Sequence, residues 1–416
     1  MVVPKNFVLK LTACAFLLLS AVGCAKTKTS ETVFPKVTTE CDDQSLKGRY
    51  VVRWVDGHVT LYKGQDREQV LRDLVDQNLQ HLDLVEPDYR VTLPKAAGDL
   101  PTAVTTAPDN WGPARVNADQ AWQQGYRGDG ITVAVIDSGV DISHDQLRSQ
   151  VARNTGEIAN NRIDDDGNGY VDDVNGFDFT IDQPTIRDNG EHGTHVSGII
   201  AAQHDDNVAG AQDHVQGIAP EAKILPLAFI DSSGSGSLFN AMRAIDYAAE
   251  RGAQVINASW GGASCSSIMR DQIGGLYAKK VIFVAAAGNS GLNIDQFPEY
   301  PAAFNLLSQL TIGATGGFEA RAQFSNYGDQ GVHLFAPGVD IVSTLPDQSV
   351  GPMSGTSMAT PMVAGAIAVL LSARPLAGVD QLRQALYQSA RIDRTYRNAS
   401  RGRMDLGAAV ARLLLQ

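Results

Sequence analysis

Between residues 131 and 314 the chain repeats one pattern, in which a short apolar run is followed by a longer segment of mixed polarity. The runs span residues 131–136, 224–229, 255–258, 281–287 and 310–314. Continuous apolar runs of this length are typical of strands that are buried on both faces of a parallel sheet. One intervening segment carries apolar residues at helical spacing from Leu238 to Ala249, and Gly252 follows where a helix would end. The sequence therefore predicts an α/β fold with a doubly wound, mostly parallel sheet flanked by helices.

The predicted sheet also indicates where functional residues lie, because ligands of such sheets bind beyond the carboxyl ends of the strands. The chain has 416 residues, of which 44% are apolar, and this is enough for one large domain with smaller appendages. Its formal charge of −12 opposes binding to the phosphate backbone of nucleic acid. Nucleic acid is therefore excluded as a general partner, and the loops after the apolar runs are the expected place for catalytic groups.

The first residues have the pattern of a secretory signal peptide. Lys5 and Lys10 precede an apolar stretch, residues 11–23, which is shorter than the roughly 20 residues of a membrane-spanning helix. The small residues before Cys24 resemble a bacterial lipobox, where cleavage leaves a lipid-bearing cysteine; ordinary signal cleavage nearby is the alternative. We therefore expect export from a bacterial cytoplasm, followed by attachment to the cell envelope through a lipid on Cys24, secretion after processing, or both.

Composition divides the rest of the chain. A stretch rich in Thr, Lys and Ser suits a flexible tether, and a later one rich in Ala, Thr, Pro and Gly suits a cleavable linker. The predicted order is a signal peptide at 1–23, a tether at 24–47, a small separate segment at 48–93, a linker at 94–110 and a main domain at 111–416.

The segment 48–93 has a different pattern from the main domain. Residues 50–55 and 59–62 look like strands and residues 70–79 like a helix, which predicts a small α+β unit. Cys41, in the tether, and Cys265, in the main domain, are far apart in the sequence, and nothing local favours a bridge between them. Their pairing as a disulfide stays open.

Three short motifs carry candidate catalytic residues: Asp137 before Ser-Gly, His192 before Gly-Thr-His195, and Ser357 after Gly-Thr. Taken alone, the Asp137 motif is explained as a turn, the histidine pair as packing or metal-binding residues, and the Ser357 motif as a helix N-cap. The histidines lack the His-Glu-x-x-His spacing of zinc proteases. In the order Asp, His, Ser, the motifs resemble those of the subtilisin-like serine proteases. The resemblance covers residues 111–416 and extends to segments 259–261, 285–289, 300–301, 324–328 and 336–338.

The resemblance implies a role for each matched residue. Ser357 would be the nucleophile, His192 the base that takes its proton, and Asp137 the carboxylate that orients the imidazole. Asn289 would donate a hydrogen bond to the oxyanion, together with backbone N–H groups at the start of the helix that Ser357 opens.

The same resemblance implies an extended polypeptide as substrate. Two segments would pair with it like neighbouring strands, and they comprise Gly234, Ser235, Gly236, Ser259, Trp260 and Gly261. Glu299 precedes a Tyr-Pro pair that lines the primary specificity pocket in the family. A carboxylate in that pocket would favour Arg or Lys before the cut bond; the alternative is a glutamate exposed to solvent.

An acidic segment between residues 157 and 178 contains seven carboxylates and a single arginine, so its excess negative charge needs to be neutralised. Part of it has the oxygen-ligand spacing of an EF-hand-like loop, although no closing glutamate follows. We expect structural Ca²⁺ here, with a solvated acidic insertion as the alternative. The candidate ligands are Asp164, Asp166, Asn168, Tyr170 and Asp172.

Residues 82–91 resemble the end of the inhibitory propeptide of such proteases, and residues 95–109 would contain the cut. The chain is therefore expected to be a serine endopeptidase made as a self-processing zymogen, with its own propeptide as an intramolecular inhibitor. Two other functions remain open: a catalytically silent binding module, and a calcium-dependent surface lipoprotein whose acidic loop is the functional part.

Overall fold

The computed structural model describes residues 45–78, 81–94, 111–204 and 215–416. The signal peptide, Cys24, Cys41 and the linker residues 95–110 lie outside the described residues. Cleavage, lipidation and the Cys41–Cys265 pairing therefore stay predictions.

The strands occur in this order along the chain: β1 (Ser45–Trp54), β2 (Val59–Lys63), β3 (Leu82–Thr92), β4 (Thr132–Asp137), β5 (Phe177–Asp178), β6 (Lys223–Ala228), β7 (Ser235–Ser237), β8 (Val255–Ala258), β9 (Ile282–Ala286), β10 (Gln309–Thr315), β11 (Leu334–Pro337), β12 (Ile341–Leu345), β13 (Ser349–Met353), β14 (Arg391–Ile392) and β15 (Gly402–Arg403). The helices are α1 (Arg67–Asn78), α2 (Trp111–Arg115), α3 (Ala118–Trp122), α4 (His192–Ala201), α5 (Leu238–Glu250), α6 (Ser267–Gly275), α7 (Thr356–Ala373), α8 (Val379–Ser389) and α9 (Leu406–Leu414).

The main sheet has nine strands in the order β14-β15-β11-β10-β9-β8-β4-β6-β5. Every pairing within it is parallel except the short pair β14–β15 at one edge. The central strands β8, β9 and β10 are buried along their whole length, because helices cover both faces of the sheet. The predicted α/β fold with a mostly parallel sheet is confirmed.

Helix α7 forms the centre of one helical layer. Its residues 356–371 are all buried, and they pack in the larger apolar cluster with β8, β9 and β10. Among the described residues α7 is the one helix long and apolar enough to cross a membrane, but 89% of that stretch is buried inside the protein. Its apolar character is therefore explained by its place in the core.

A second sheet joins the N-terminal segment to the main domain. Its order is β2-β1-β3-β7, all antiparallel, with β1, β2 and β3 from residues 45–92 and β7 from the main domain. The N-terminal part has an apolar cluster of its own, formed by Val52, Val70, Leu74, Leu82 and Val85. A core this small stabilises a fold only marginally, so the contacts of β3 with the main domain add support.

Candidate active site

The three residues of the predicted triad lie at ends of elements that meet at the carboxyl edge of the main sheet. Asp137 is the last residue of β4, His192 is the first residue of α4, and Ser357 is the second residue of α7. This arrangement follows from the fold, since loops and helix starts after parallel strands collect at one edge.

Asp137 and His192 form a direct hydrogen bond. His192 Nδ1 lies 2.8 Å from Asp137 Oδ1, and the carboxylate is fully buried whereas the imidazole is 12% exposed. Asp137 Oδ1 also accepts the Ser138 backbone N–H, which fixes the carboxylate. A proton held on Nδ1 by the carboxylate leaves Nε2 as the basic nitrogen of His192.

Ser357 is buried and is bound to the segment that follows β8. Its Oγ donates to the Ser259 carbonyl oxygen at 3.2 Å, and Ser259 Oγ donates to the Ser357 carbonyl at 2.9 Å. Ser259 thus contacts the candidate nucleophile through both its side chain and its backbone, a role that its predicted part in substrate binding did not include.

Asn289 is oriented by the first residue of α7. Its Oδ1 accepts both the backbone N–H and the Oγ1 hydroxyl of Thr356, each at 2.9 Å. The amide nitrogen Nδ2 is directed elsewhere, 3.1 Å from the place a Cβ on Gly355 would occupy. Asn289 and the N-terminus of α7 can therefore present two kinds of N–H donor to one oxygen atom.

The two segments predicted to flank a substrate do flank an extended stretch of this chain. On one edge, β3 pairs with β7 through Val91 and Gly236, and the Leu93 N–H donates to the Gly234 carbonyl at 3.0 Å. On the other edge, Thr92 exchanges two backbone hydrogen bonds of 3.0 Å with Gly261. The end of β3 therefore lies in the cleft as a strand bonded on both sides.

A cavity of about 400 Å³ adjoins the end of β3. Glu299 lies in its wall, where its Oε1 accepts the Ser290 hydroxyl at 3.0 Å. Trp260 also borders the cavity, but its indole is buried and donates to the Ile136 carbonyl, so it mainly supports the wall. The rest of the wall comprises Thr92, Leu93, Pro94, Gly261, Gly262, Ala263, Ala286, Gly288, Asn289, Ser290, Tyr300 and Ala302.

The model of the subtilase family of peptidases matches residues 128–407. The chain belongs to the subtilase family. It is 35% identical over 276 residues to subtilisin DY of Bacillus licheniformis, a match that covers 66% of this chain and 89% of that protein. It is 34% identical over 262 residues to thermitase of Thermoactinomyces vulgaris, with 63% and 82% covered.

Among solved structures, the chain is similar to fervidolysin from Fervidobacterium pennivorans, described as a keratinolytic enzyme related to subtilisin. The TM-score is 0.71 at 25% identity, and the match covers 91% of this chain and 63% of fervidolysin. Together these similarities show that this subtilase is a serine endopeptidase.

The pKa of His192 in this subtilase lies above the ordinary histidine value. Burial alone would lower the pKa, but the charge and hydrogen bond of Asp137 outweigh burial, and the charge of Asp188 adds to the rise. Asp188 was not predicted, although it stands four residues before His192. It accepts hydrogen bonds from Ser138 Oγ and the Thr194 N–H, and so also holds the start of α4.

We expect Asp188→Asn to shift the acidic limb of kcat/KM for peptide hydrolysis to lower pH by roughly half a unit. The base must be neutral to accept a proton, so activity falls as pH drops through the pKa of His192, and removing a nearby negative charge lowers that pKa. Asp145→Asn is the matched control, because Asp145 is exposed, pairs with Arg148 and does not affect the pKa of His192. An acidic limb that stays in place in Asp188→Asn would contradict this assignment.

His195, the second histidine of the same motif, is fully buried. Burial and the neighbouring His192 lower its pKa to about 3, so it is neutral at physiological pH. Its Nε2 lies 3.1 Å from the Gly351 carbonyl, on the hairpin β12–β13, to which it donates. These contacts are those of a packing residue.

The acidic loop differs in part from the predicted ligand set. The carboxylates that come together are Glu157, Asp164 and Asp166, and one oxygen of each lies within 4.8 Å of the other two. Asp172, predicted as a ligand, is not in this group; its two oxygens accept the backbone N–H groups of Asn161 and Arg162.

The other predicted ligands, Asn168 and Tyr170, make turn and packing contacts in this loop, and their role as ligands stays a prediction. Asn168 Oδ1 accepts the Tyr170 N–H at 2.8 Å, and its Nδ2 donates to Asp173 at 2.9 Å. The Tyr170 ring packs against Phe177 and Tyr247. Both residues shape the loop that carries the three carboxylates.

Proposed function

We propose that this subtilase is made as an exported precursor whose own residues 82–94 block its active site, and that it hydrolyses peptide bonds through an acyl-enzyme on Ser357. The observation that supports this best is the position of the end of β3, which is bonded on both edges between β7 and Gly261. An extended strand paired in this way mimics a bound polypeptide.

The chemistry follows from the geometry of the site. The Ser357 hydroxyl turns from Ser259 towards His192, and its oxygen attacks the substrate carbonyl carbon while the proton passes to His192 Nε2. The carbonyl oxygen becomes an oxyanion, which accepts hydrogen bonds from Asn289 Nδ2 and the Ser357 N–H. When the carbon–nitrogen bond breaks, the leaving amine takes the proton from His192. Water then attacks the acyl-enzyme by the same route and releases the second product and free Ser357.

Two carboxylates fasten β3 to the main domain. Glu86, 1% exposed, accepts the Ser266 hydroxyl at 2.6 Å and the Ser267 N–H at 2.8 Å, at the start of α6. Asp88, fully buried, accepts the Phe239 N–H at 3.0 Å at the start of α5. Negative charge at a helix N-terminus is stabilising, so both contacts favour the blocked state.

An ion pair strengthens the second of these contacts. Arg49 of β1 lies 2.8 Å from the Asp88 carboxylate, which it shares with the Phe239 N–H. The strand that ends in the cleft is therefore held by β1, its neighbour in the second sheet, as well as by the main domain. This supports a role for residues 45–94 as one inhibitory unit.

Export and processing are the further part of the proposal. The precursor is anchored by a lipid on Cys24, and a cut within residues 95–109 frees the catalytic domain from the membrane. Fatty-acid labelling, intact mass and N-terminal sequencing of the native protein test this. We expect a labelled precursor and an unlabelled mature form that begins after residue 94. An unlabelled precursor, or equal labelling of Cys24→Ser, would contradict the anchor.

We also propose a structural calcium site at Glu157, Asp164 and Asp166. Carboxylate oxygens are the ligands that Ca²⁺ prefers, and the loop holds them by backbone contacts. Asp164 accepts the N–H groups of Gly167 and Gly169, and Glu157 accepts that of Asp165. The backbone thus fixes the carboxylates before a cation binds. The ion would stabilise the loop ahead of α4 and takes no part in acyl transfer.

Removing calcium is expected to lower the melting temperature by several degrees, because a ligand at a hundred times its Kd adds about 2.7 kcal/mol to the free energy of unfolding. Glu157→Gln should lose most of this calcium-dependent shift. Asp172→Asn is the matched control and should keep the calcium-dependent shift, while its stability without calcium falls because its turn contacts with Asn161 and Arg162 are weakened. The assignment would be refuted if Glu157→Gln kept the full calcium-dependent shift in melting temperature, or if Asp172→Asn alone lost this shift.

A further inference from the structure

The register of β3 in the cleft determines which residue lies beside the nucleophile. Thr92 and Gly261 exchange both backbone hydrogen bonds, so they form a hydrogen-bonded pair of an antiparallel ladder. Pairs of this type recur every two residues. Continued by two residues along each strand, this register would place residue 94 opposite Ser259.

Residue 94 is a proline, which has no N–H to donate. A different residue at this position would direct its N–H at the Ser259 carbonyl oxygen. That oxygen instead accepts the Ser357 hydroxyl at 3.2 Å. Among the described residues, the last backbone hydrogen bond of the resident strand is therefore the one that the Leu93 N–H donates to Gly234.

We propose that Pro94 is the residue that makes this strand an inhibitor instead of a substrate. Without an N–H at position 94, the strand is not fixed opposite Ser259, the Ser357 hydroxyl stays on the Ser259 carbonyl, and the bond between Pro94 and Lys95 stays intact. This inference rests on the proposed function, in which residues 82–94 block the active site.

The missing contact matters because it is the one nearest to the bond that would be cut. A hydrogen bond at this position fixes the substrate carbonyl between the nucleophile and the oxyanion donors, and small errors of placement there cost large factors in rate. A substrate that donates to the Ser259 carbonyl also brings a second donor to the oxygen that accepts the Ser357 hydroxyl. This second donor favours rotation of the Ser357 hydroxyl towards His192. Pro94 does neither.

The specificity cavity gives a second, independent reason. Pro94 borders the cavity of about 400 Å³ that contains Glu299, but its ring carries no charge to pair with this carboxylate. A long basic side chain at position 94 would use both the volume and the charge. The resident residue thus lacks both the backbone donor and the side chain that the site can recognise.

A consequence concerns the first processing cut. The bond after Pro94 is the one that the resident strand presents, and it is the one that we expect to survive. The first cut falls instead within residues 95–109, after the strand has left its resident register.

Pro94→Ala in the full chain tests this directly. Restoring the N–H should make the bond after residue 94 the first to be cut, at least about tenfold faster than in the wild type, with Lys95 as the new N-terminus. Pro101→Ala is the matched control, since it removes a proline from the linker without adding a donor opposite Ser259. A wild-type chain that is cut after Pro94 at the rate of Pro94→Ala would overturn the inference.

Synthetic peptides of residues 86–98 separate the missing N–H from the shape of the ring. With the processed enzyme, peptides carrying Pro or N-methylalanine at position 94 should compete with a chromogenic substrate and remain intact after residue 94. The peptide with Ala should be cut there. If the Ala and N-methylalanine peptides are cut equally, the inference about Pro94 is wrong while the inhibitory role stands. If the uncut precursor hydrolyses the chromogenic substrate as fast as the processed enzyme does, the inhibitory role fails as well.

Discussion

Ser357→Ala should lower kcat/KM for peptide hydrolysis by about a millionfold and leave the precursor uncut, with residues 48–93 still attached. Losing the serine or the histidine of such a triad has an effect of this order, because the two act as one unit. The substitution removes only the hydroxyl, which is bound to the Ser259 carbonyl, so the fold of α7 should be kept. The measurements are initial rates on a peptide substrate and the intact mass of the purified chain.

Ser372→Ala is the matched control for this experiment. Ser372 lies on the same helix, about 22 Å from Ser357, and its hydroxyl accepts the Gly128 N–H. It should mature normally and keep its activity, with a small loss of stability. Normal maturation of a pure Ser357→Ala preparation would refute self-processing, and retained peptidase activity would refute the nucleophile.

The same variant distinguishes the two alternative functions. A silent binding module or a lipoprotein that acts through its acidic loop would not need the Ser357 hydroxyl. A covalent phosphonate probe adds a second readout, since it should label the processed wild-type chain and not Ser357→Ala. Equal labelling of both would show that another nucleophile reacts.

The main sheet was predictable because its strands are buried on both faces and therefore appear in the sequence as continuous apolar runs. The run 255–258 matches β8, and the run 131–136 differs from β4 by one residue at each end. Helix α5 begins at Leu238 as its spacing indicates, and it ends just before Gly252, whose φ is +75°. These features depend on residues close together in the sequence.

The rest depends on contacts between distant residues, which no local pattern reveals. Glu86 caps a helix that begins about 180 positions later, and the hairpin β12–β13 is half-exposed and so has no continuous apolar run. The acidic loop shows the same limit. Its spacing along the chain predicted Asp164 and Asp166, but it did not reveal that the chain folds back so that Glu157 approaches them.

The candidate catalytic residues were accessible to sequence reasoning because each lies in a distinctive motif, but the groups that orient them were not. Ser259 contacts the Ser357 hydroxyl through its backbone carbonyl. Every residue type has this group, so the identity of residue 259 does not indicate the contact. The sequence showed Thr356 only as the residue before Ser357 and did not indicate that it fixes the amide of Asn289.

Glu299 is expected to make this subtilase prefer Arg or Lys before the cut bond, and Glu299→Gln should reduce the ratio of kcat/KM for Arg over Phe peptides ten- to a hundredfold. The carboxylate lies in the wall of the cavity beside the end of β3, where an entering side chain would exclude water. A charge-assisted hydrogen bond in such a place contributes about 1.5 to 3 kcal/mol. Each step of about 1.4 kcal/mol is a factor of ten in selectivity.

The test compares matched peptides that differ only in Arg or Phe before the cut bond, with wild type, Glu299→Gln and a control. Glu221→Gln serves as the control, because it removes a glutamate that pairs with Arg127 outside the cavity. Glutamine keeps the size and the contact with Ser290 while it removes the charge, so only the charge-dependent part of selectivity should change. A wild-type preference for Phe, or an Arg/Phe ratio that Glu299→Gln leaves unchanged, would show that this carboxylate does not select the substrate.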